Sequence, residues 1–144
     1  ASDLQHSFDV EVKSSFACAL AAFPLMRAAG GGRIVLVSDW LAASERPRYT
    51  GFLHYYVAKK AVTGLTEALA LELAPDQILV NAIAPGPILP PPDLEDEESK
   101  AVEQATPVGR WGGGDEIAKT VLALVDSDFI TGETIRVDGG RHIR

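Results

Sequence analysis

Two short, unbroken apolar runs constrain this chain most: RIVLVS at 33–38 and ILVNAIA at 78–84. Both are rich in β-branched residues, and neither alternates apolar with polar. Each reads as a strand buried on both faces, as strands of parallel sheets are. A third short run, TIRVD at 134–138, reads as a last strand before Gly139-Gly140.

Long helical patterns stand between these strands. Residues 3–28 read as one helix, with Phe8, Val12, Phe16, Ala19, Leu20 and Phe23 recurring at three and four. Gly30, Gly31 and Gly32 stop it, and Pro24 predicts a kink or an early end. Residues 39–53 read as loop. Residues 54–74 read as a second long helix closed by Pro75. The segment PGPILPPP (85–92) is too rich in proline for regular structure. A short helix is expected at 94–105, and another from an Asp115 cap to about Val125. The alternation of helix and strand predicts an α/β fold with a parallel sheet. Three strands are few for such a sheet, and 33–38 calls for a neighbour on each side. The pattern reads as the back half of something larger.

Composition narrows the function classes. Apolar residues make up 47% and charged residues 23%, which is a folded chain. The net charge of −7 argues against nucleic acid or an anionic membrane as the partner. No run approaches the roughly 20 apolar residues of a membrane span, and no secretory leader is visible. The one cysteine, Cys18, excludes an internal disulfide and fits a reducing cytoplasm. Its apolar helical setting predicts a buried core thiol. The acidic run DLEDEESK (93–100) reads as a solvated helix start. No metal site is expected.

The stretch HYYVAKK (54–60) holds two Tyr–Lys pairs at i, i+4, Tyr55 with Lys59 and Tyr56 with Lys60. Residues at that spacing share a helix face. Such a pair can do acid–base chemistry, because a fixed ammonium stabilises a phenolate. On spacing alone, both lysines read more readily as solvated surface charges.

Five segments in order carry a resemblance: GGRIVLVSD (31–39), YYVAKKAVTGLTEALALELAP (55–75), ILVNAIAPGPI (78–88), TPVGRWGGGDEIA (106–118) and ITGETIRVDGG (130–140). Together they resemble the C-terminal part of a short-chain dehydrogenase/reductase. The resemblance implies a Rossmann-like, doubly wound parallel sheet of which this chain holds strands 5–7 and their helices. The glycine-rich pyrophosphate turn of the family, G-x-x-x-G-x-G after a strand, has no counterpart here. The dinucleotide-binding half is therefore expected outside this chain, as an upstream segment or a partner piece.

The family's Tyr-x-x-x-Lys element is followed by small residues and then Gly-Leu-Thr. Counting back from Gly64-Leu65-Thr66 places its lysine at Lys59 and its tyrosine at Tyr55. Helical geometry agrees: Val57, Ala58, Ala61, Val62, Leu65, Ala68 and Leu69 form an apolar face bordered by Tyr55 and Lys59. Tyr56 points away from the core, and Lys60 joins Thr63 and Glu67 on a polar stripe. The resemblance implies that Tyr55 transfers a proton while Lys59 tunes it and holds the nicotinamide ribose. Pro85, Gly86 and Ile88 match the turn that meets the nicotinamide carboxamide. At Pro90 the family often has a hydroxyl, and at Glu11 its active-site asparagine, so both supporting contacts are expected to differ. His54 reads as a helix-start residue.

Where the family usually places a serine, the end of the fifth strand, this chain has Asp39, with Ser38 one residue earlier. A carboxylate accepts hydrogen bonds but donates none, which suits a substrate presenting N–H groups. Asp before Tyr-x-x-x-Lys, and the ending VDGGRHIR (137–144), resemble the pteridine reductase and dihydromonapterin reductase branch. Asp39 as a loop cap, or Ser38 as the working hydroxyl, stay open. Trp40, Tyr49 and Trp111 read as substrate walls or as packing.

The resemblance thus implies an NADP-dependent oxidoreductase, with NAD as the alternative, that reduces a C=N bond of a dihydropteridine-like small molecule. A broader carbonyl reductase is the near alternative, and a truncated, catalytically silent fragment the distant one. Helices 3–28 and 54–74 would join a homodimer or homotetramer, with the tail RHIR (141–144) reaching a neighbour's site.

Overall fold

The β-branched runs form three parallel strands, and the helical patterns cover them. In the computed structural model the described residues are 2–48 and 50–144. The chain runs α1 (Ser2–Ser7), a π-helical turn (Phe8–Lys13), α2 (Ser14–Ala28), β1 (Gly32–Val37), α3 (Trp40–Ala43), α4 (Leu53–Leu73), β2 (Ile78–Pro85), α5 (Asp96–Gln104), α6 (Gly114–Asp126) and β3 (Thr134–Val137). A 3-10 turn, Arg141–Ile143, ends it. The sheet order is β1-β2-β3. Gly32 to Val37 pair with Ile78 to Ile83, and Ala82 to Pro85 pair with Thr134 to Val137.

The helix expected at 3–28 runs through without a break at Pro24, but it is not uniform. Its second turn and a half is π-helical. The flanking residues Ser7 and Ser14 keep helical dihedrals, so the wide turn is an insertion into one continuous helix. Ser15 donates back to the Glu11 carbonyl at 2.6 Å, and Ser14 back-bonds to Val10.

One core lies between the sheet and the two long helices. Ile34 and Leu36 of β1 and Ile78, Val80 and Ala82 of β2 pack on Ala19 of α2 and on Val62, Leu69, Ala70 and Leu73 of α4. Side chains alternate across a strand, so Arg33, Val35 and Val37 face the other way. There α6 touches all three strands, and Arg33 reaches the Ser127 carbonyl and the Asp128 carboxylate beyond its end. This second face is covered only in part: Val37 is 51% exposed. The expectation that 33–38 is buried on both faces is corrected accordingly. Among the described residues β1 has a strand on one side only.

Other expectations shift for local reasons. Gly113, with φ of 81°, takes the cap position of α6, and Asp115 falls in the first turn, where its charge suits the helix dipole. The 39–53 segment contains the short helix α3. The buried face of α4 is turned from the expected one. Ala58, Val62, Thr66, Leu69 and Leu73 line it, with Lys59 and Thr63 beside them, whereas Val57 is exposed. Cys18 is exposed rather than buried, because its side of α2 looks onto the groove along the free edge of β1.

The sheet's other end is tied by a polar residue. Asn81 is 1% exposed. Its amide donates to the Ile130 carbonyl at 2.7 Å and accepts from the Glu133 N–H at 3.0 Å. It closes the loop that carries β3 into the sheet. Asn81→Ala leaves both backbone groups without a partner and is expected to cost about 1–3 kcal/mol. A urea melt should show a lower midpoint at unchanged slope; an unchanged midpoint would contradict this role.

Candidate active site

A lysine with 7% exposure needs partners, since a buried unpaired ammonium is costly. Lys59 has them. Its Nζ donates to Glu11 Oε2 at 2.6 Å and to the Val37 carbonyl at 3.1 Å. One of its three N–H groups remains. Glu11 is delivered by the π-helical turn, one of the places where helices commonly deform for function. Position 11 thus gives the lysine a direct ionic partner, which neutral asparagine would not supply. Ser38, 3% exposed, donates to the Lys59 carbonyl at 3.0 Å. Its hydroxyl is thus engaged with the α4 backbone.

Tyr55, one turn before Lys59 on α4, lies with its ring 5.6 Å from the ammonium. Its hydroxyl faces Asp39 Oδ2 at 3.3 Å. The two oxygens of Asp39 do different things. Oδ1 accepts the Leu41 N–H at 2.7 Å and caps α3, while Oδ2 meets the tyrosine. Burial pushes the Asp39 carboxyl above its usual range, opposed by the Leu41 N–H, the Tyr55 hydroxyl and the Lys59 charge. Tyr55 is pushed well above its ordinary value. Burial is the main cause, and the negative charges of Asp39 and Glu11 add to it. Its phenol stays protonated through the physiological range.

The second pair divides. Lys60 leaves the site to bind Glu45 at 3.0 Å and the Ala42 carbonyl at 3.4 Å, fastening the segment after α3. Tyr56 stays, lining a cleft of about 510 Å³ together with Asp39, Trp40, Leu41, Pro47, Arg48 and Tyr55. Most of its wall is apolar, which suits a flat organic body. Trp40 is therefore a wall residue. Trp111 is elsewhere, its indole N–H donating to Ser99 Oγ at 3.0 Å, and Tyr49 lies outside the described residues. His54 pairs with Ser7 Oγ at 2.8 Å and ties α4 to α1.

Pro85 ends β2, and Gly86 follows with its N–H bonded to the Val137 carbonyl at 3.0 Å. A Cβ on Gly86 would lie 2.6 Å from Asp138 Cβ. The close approach that demands glycine is thus to β3's end. The Pro87 and Ile88 carbonyls are held by the N–H groups of Gly112 and Gly113, at 2.9 and 2.8 Å. The Ile88 N–H has no acceptor among the described residues. Ile88 and Lys59 thus offer unused donors near the C-terminal ends of β2 and β1, where ligands of parallel α/β sheets bind.

Asp138 contributes something no sequence motif flags. Buried at 5% exposure, its carboxylate accepts from the Gly140 N–H, the His142 N–H and His142 Nδ1 at 3.0, 3.0 and 2.8 Å. It folds the tail back onto its own chain. Arg46 then donates to the His142 carbonyl at 3.2 Å, and Arg48 to the Arg144 main-chain oxygen. The tail therefore lies against Arg46 and Arg48, beside the cleft that Arg48 lines.

A family model described as enoyl-(acyl carrier protein) reductase matches residues 1–142. Dehydrogenase/reductase SDR family member 4 of Homo sapiens is 37% identical over 140 residues, covering 93% of this chain and 49% of that protein. The 3-oxoacyl-(acyl-carrier-protein) reductase FabG of Rickettsia bellii is 34% identical, covering 96% and 58%. Acetoin dehydrogenase from Enterobacter cloacae superposes with a TM-score of 0.84 at 38% identity, covering 99% of this chain and 56% of that one. The chain spans about half the length of the curated relatives it matches.

The raised Asp39 pKa has a consequence for stability. The folded state holds this proton more tightly than the unfolded chain. The resulting stabilisation is fully present below the ordinary carboxylate value of about 3.9 and is lost as pH rises through the raised one. Asp39→Asn keeps a capping oxygen and removes the buried charge. It is expected to raise Tm at pH 7, with an advantage that shrinks toward pH 3. A Tm difference independent of pH would contradict the burial of a charge here.

Proposed function

The chain belongs to the short-chain dehydrogenase/reductase family, and from that premise we propose that it forms the catalytic half of a nicotinamide-dependent reductase acting on a C=N bond in a flat nitrogen heterocycle. The observation that carries this is the contact of the Tyr55 hydroxyl with Asp39 at the floor of the largely apolar cleft. When bound, the dinucleotide supplies the hydride. Lys59 offers its third N–H to the ribose, and the Ile88 N–H is a donor for the carboxamide. Tyr55, a protonated phenol, gives its proton to the substrate nitrogen as hydride arrives at the adjacent carbon. Asp39, ionised, accepts from ring N–H groups and holds the ring in line.

NADPH is the proposed reductant because the reaction is reductive; a paired assay with NADH separates the two. The dinucleotide's pyrophosphate would be held by residues outside this chain. A carbonyl substrate is the second reading, favoured by the likeness to acetoin dehydrogenase. Against it stands Ser38, whose hydroxyl donates to the Lys59 backbone and is not free to polarise a carbonyl.

An oligomer is proposed on the apolar side chains that α2 and α4 leave in solvent, among them Phe16, Leu20, Val57 and Leu71. No described helix is long and apolar enough to cross a membrane.

Tyr55→Phe in the intact protein is expected to cut kcat by about 10²–10⁴-fold, the usual size of a lost proton transfer. Tyr56→Phe keeps the cleft wall and is expected to change kcat by less than about threefold, well below that range. Steady-state NADPH oxidation at 340 nm with a dihydropteridine reads both. If Tyr56→Phe is the dead variant, the assignment to Tyr55 fails. If cyclic ketones are reduced and dihydropteridines are not, the substrate class fails.

A further inference from the structure

The arginines of this chain fall into two groups. Arg27, Arg33 and Arg110 each pair with a carboxylate, Asp76, Asp128 and Glu116 respectively. Arg46, Arg48, Arg136, Arg141 and Arg144 have no carboxylate side chain within 4.0 Å among the described residues. Their recorded protein partners are main-chain oxygens and, for Arg141, the Thr106 hydroxyl. Peptide carbonyls orient a guanidinium but do not neutralise it; the oxygen that Arg48 meets belongs to the final residue, Arg144. In a chain of net charge −7, five arginines without an acidic side-chain partner are unexpected, and they share one neighbourhood. Arg136 holds the Ala43 carbonyl at the end of α3, Arg46 and Arg48 follow α3, and the last two belong to the tail folded against it.

Arg48, Arg141 and Arg144 converge. Together with Ala101, Gln104 and Ala105 they line a second cleft of about 400 Å³, which no Asp or Glu borders. Arg48 also lines the cleft that holds Tyr55 and Asp39, so the two spaces adjoin through it. Trp40 gives this junction a rigid base. Its ring centre lies 5.4 Å from the Arg48 guanidinium carbon and 5.8 Å from that of Arg141, an arrangement that favours planar cations on both sides.

We propose that the second cleft is an anion subsite, and that the substrate carries a carboxylate or phosphate group that Arg48, Arg141 and Arg144 hold while its flat body occupies the cleft over Tyr55. This rests on the reading of that cleft as the substrate site. Guanidinium groups suit either anion through paired N–H donors. The acidic surface elsewhere repels anions, so the subsite selects by position as well as by charge. The tail becomes a specificity element, held in place by Asp138.

The test compares three probes with one ring system: 2-naphthoate, 2-naphthyl phosphate and the uncharged 2-naphthamide. Each is titrated by calorimetry into the intact protein without cofactor. At least one anion is expected to bind about tenfold or more tightly than the amide, as a charge-assisted contact provides. The tighter of the two names the anion. Arg48→Gln and Arg141→Gln should remove the preference by weakening anion binding far more than amide binding, and Arg48→Lys should restore part of it. Arg48 touches the tail and Arg141 belongs to it, so Arg48→Lys, which keeps a charge there, separates loss of the anion contact from loss of tail order. Equal binding of amide and anions, a preference that survives Arg48→Gln, or no binding of any probe overturns the proposal. The titration involves no turnover, so it can fail while dihydropteridine reduction succeeds, and the reverse.

Discussion

The buried ammonium of Lys59 is the contact on which the site depends. It joins three parts of the fold: the helix α4 that carries it, the end of β1 through the Val37 carbonyl, and the π-helical turn through Glu11. Each joint has a physical reason. A charge at 7% exposure needs a counter-charge and further acceptors. The widened helical turn brings Glu11 into range. Ser38 then locks the same helix turn to the strand through the Lys59 carbonyl. With Lys59 fixed, the position of Tyr55 one turn away is fixed as well, and Asp39, next after Ser38, arrives beneath its hydroxyl.

This arrangement sets the electrostatics. A lysine beside a tyrosine ordinarily favours the phenolate. Here Glu11 offsets the lysine, and Asp39 adds a second negative charge against the phenol. Burial and these two carboxylates together keep Tyr55 protonated. The floor of the cleft thus pairs a carboxyl with a protonated phenol, while Arg48 on its wall and Arg141 and Arg144 in the adjoining cleft lack carboxylate side-chain partners. The proposed substrate, nitrogen-rich at one end and anionic at the other, would suit that arrangement.

Much of this was legible in the sequence, and the rest fails for identifiable reasons. The three strands, the long helices and the pairing of Tyr55 with Lys59 follow from periodicity and from the Gly64-Leu65-Thr66 register. Unbroken β-branched runs and helix spacing are local and strong signals. The π-helical turn is invisible to them, because Phe8–Lys13 carries no proline, glycine or other mark of deformation. The buried face of α4 was misjudged because Lys59 and Thr63 are polar yet buried; their burial depends on Glu11 and on the Lys60 carbonyl. Cys18 was misread because the helix pattern assumes both sides of α2 are covered. Asp138 and the arginine cluster had no local signal, since residues 46–48 and 141–144 meet only through the tail's return.

Glu11, the ionic partner of Lys59, helps keep Tyr55 protonated through its own negative charge. The chain has three tyrosines, so phenolate absorbance near 295 nm can be followed with pH, and the step lost in Tyr55→Phe identifies Tyr55. With Glu11→Gln, which keeps the side chain's shape and removes its charge, the Tyr55 step is predicted to move to lower pH. A Tyr55 step at the same pH in both proteins would contradict the account.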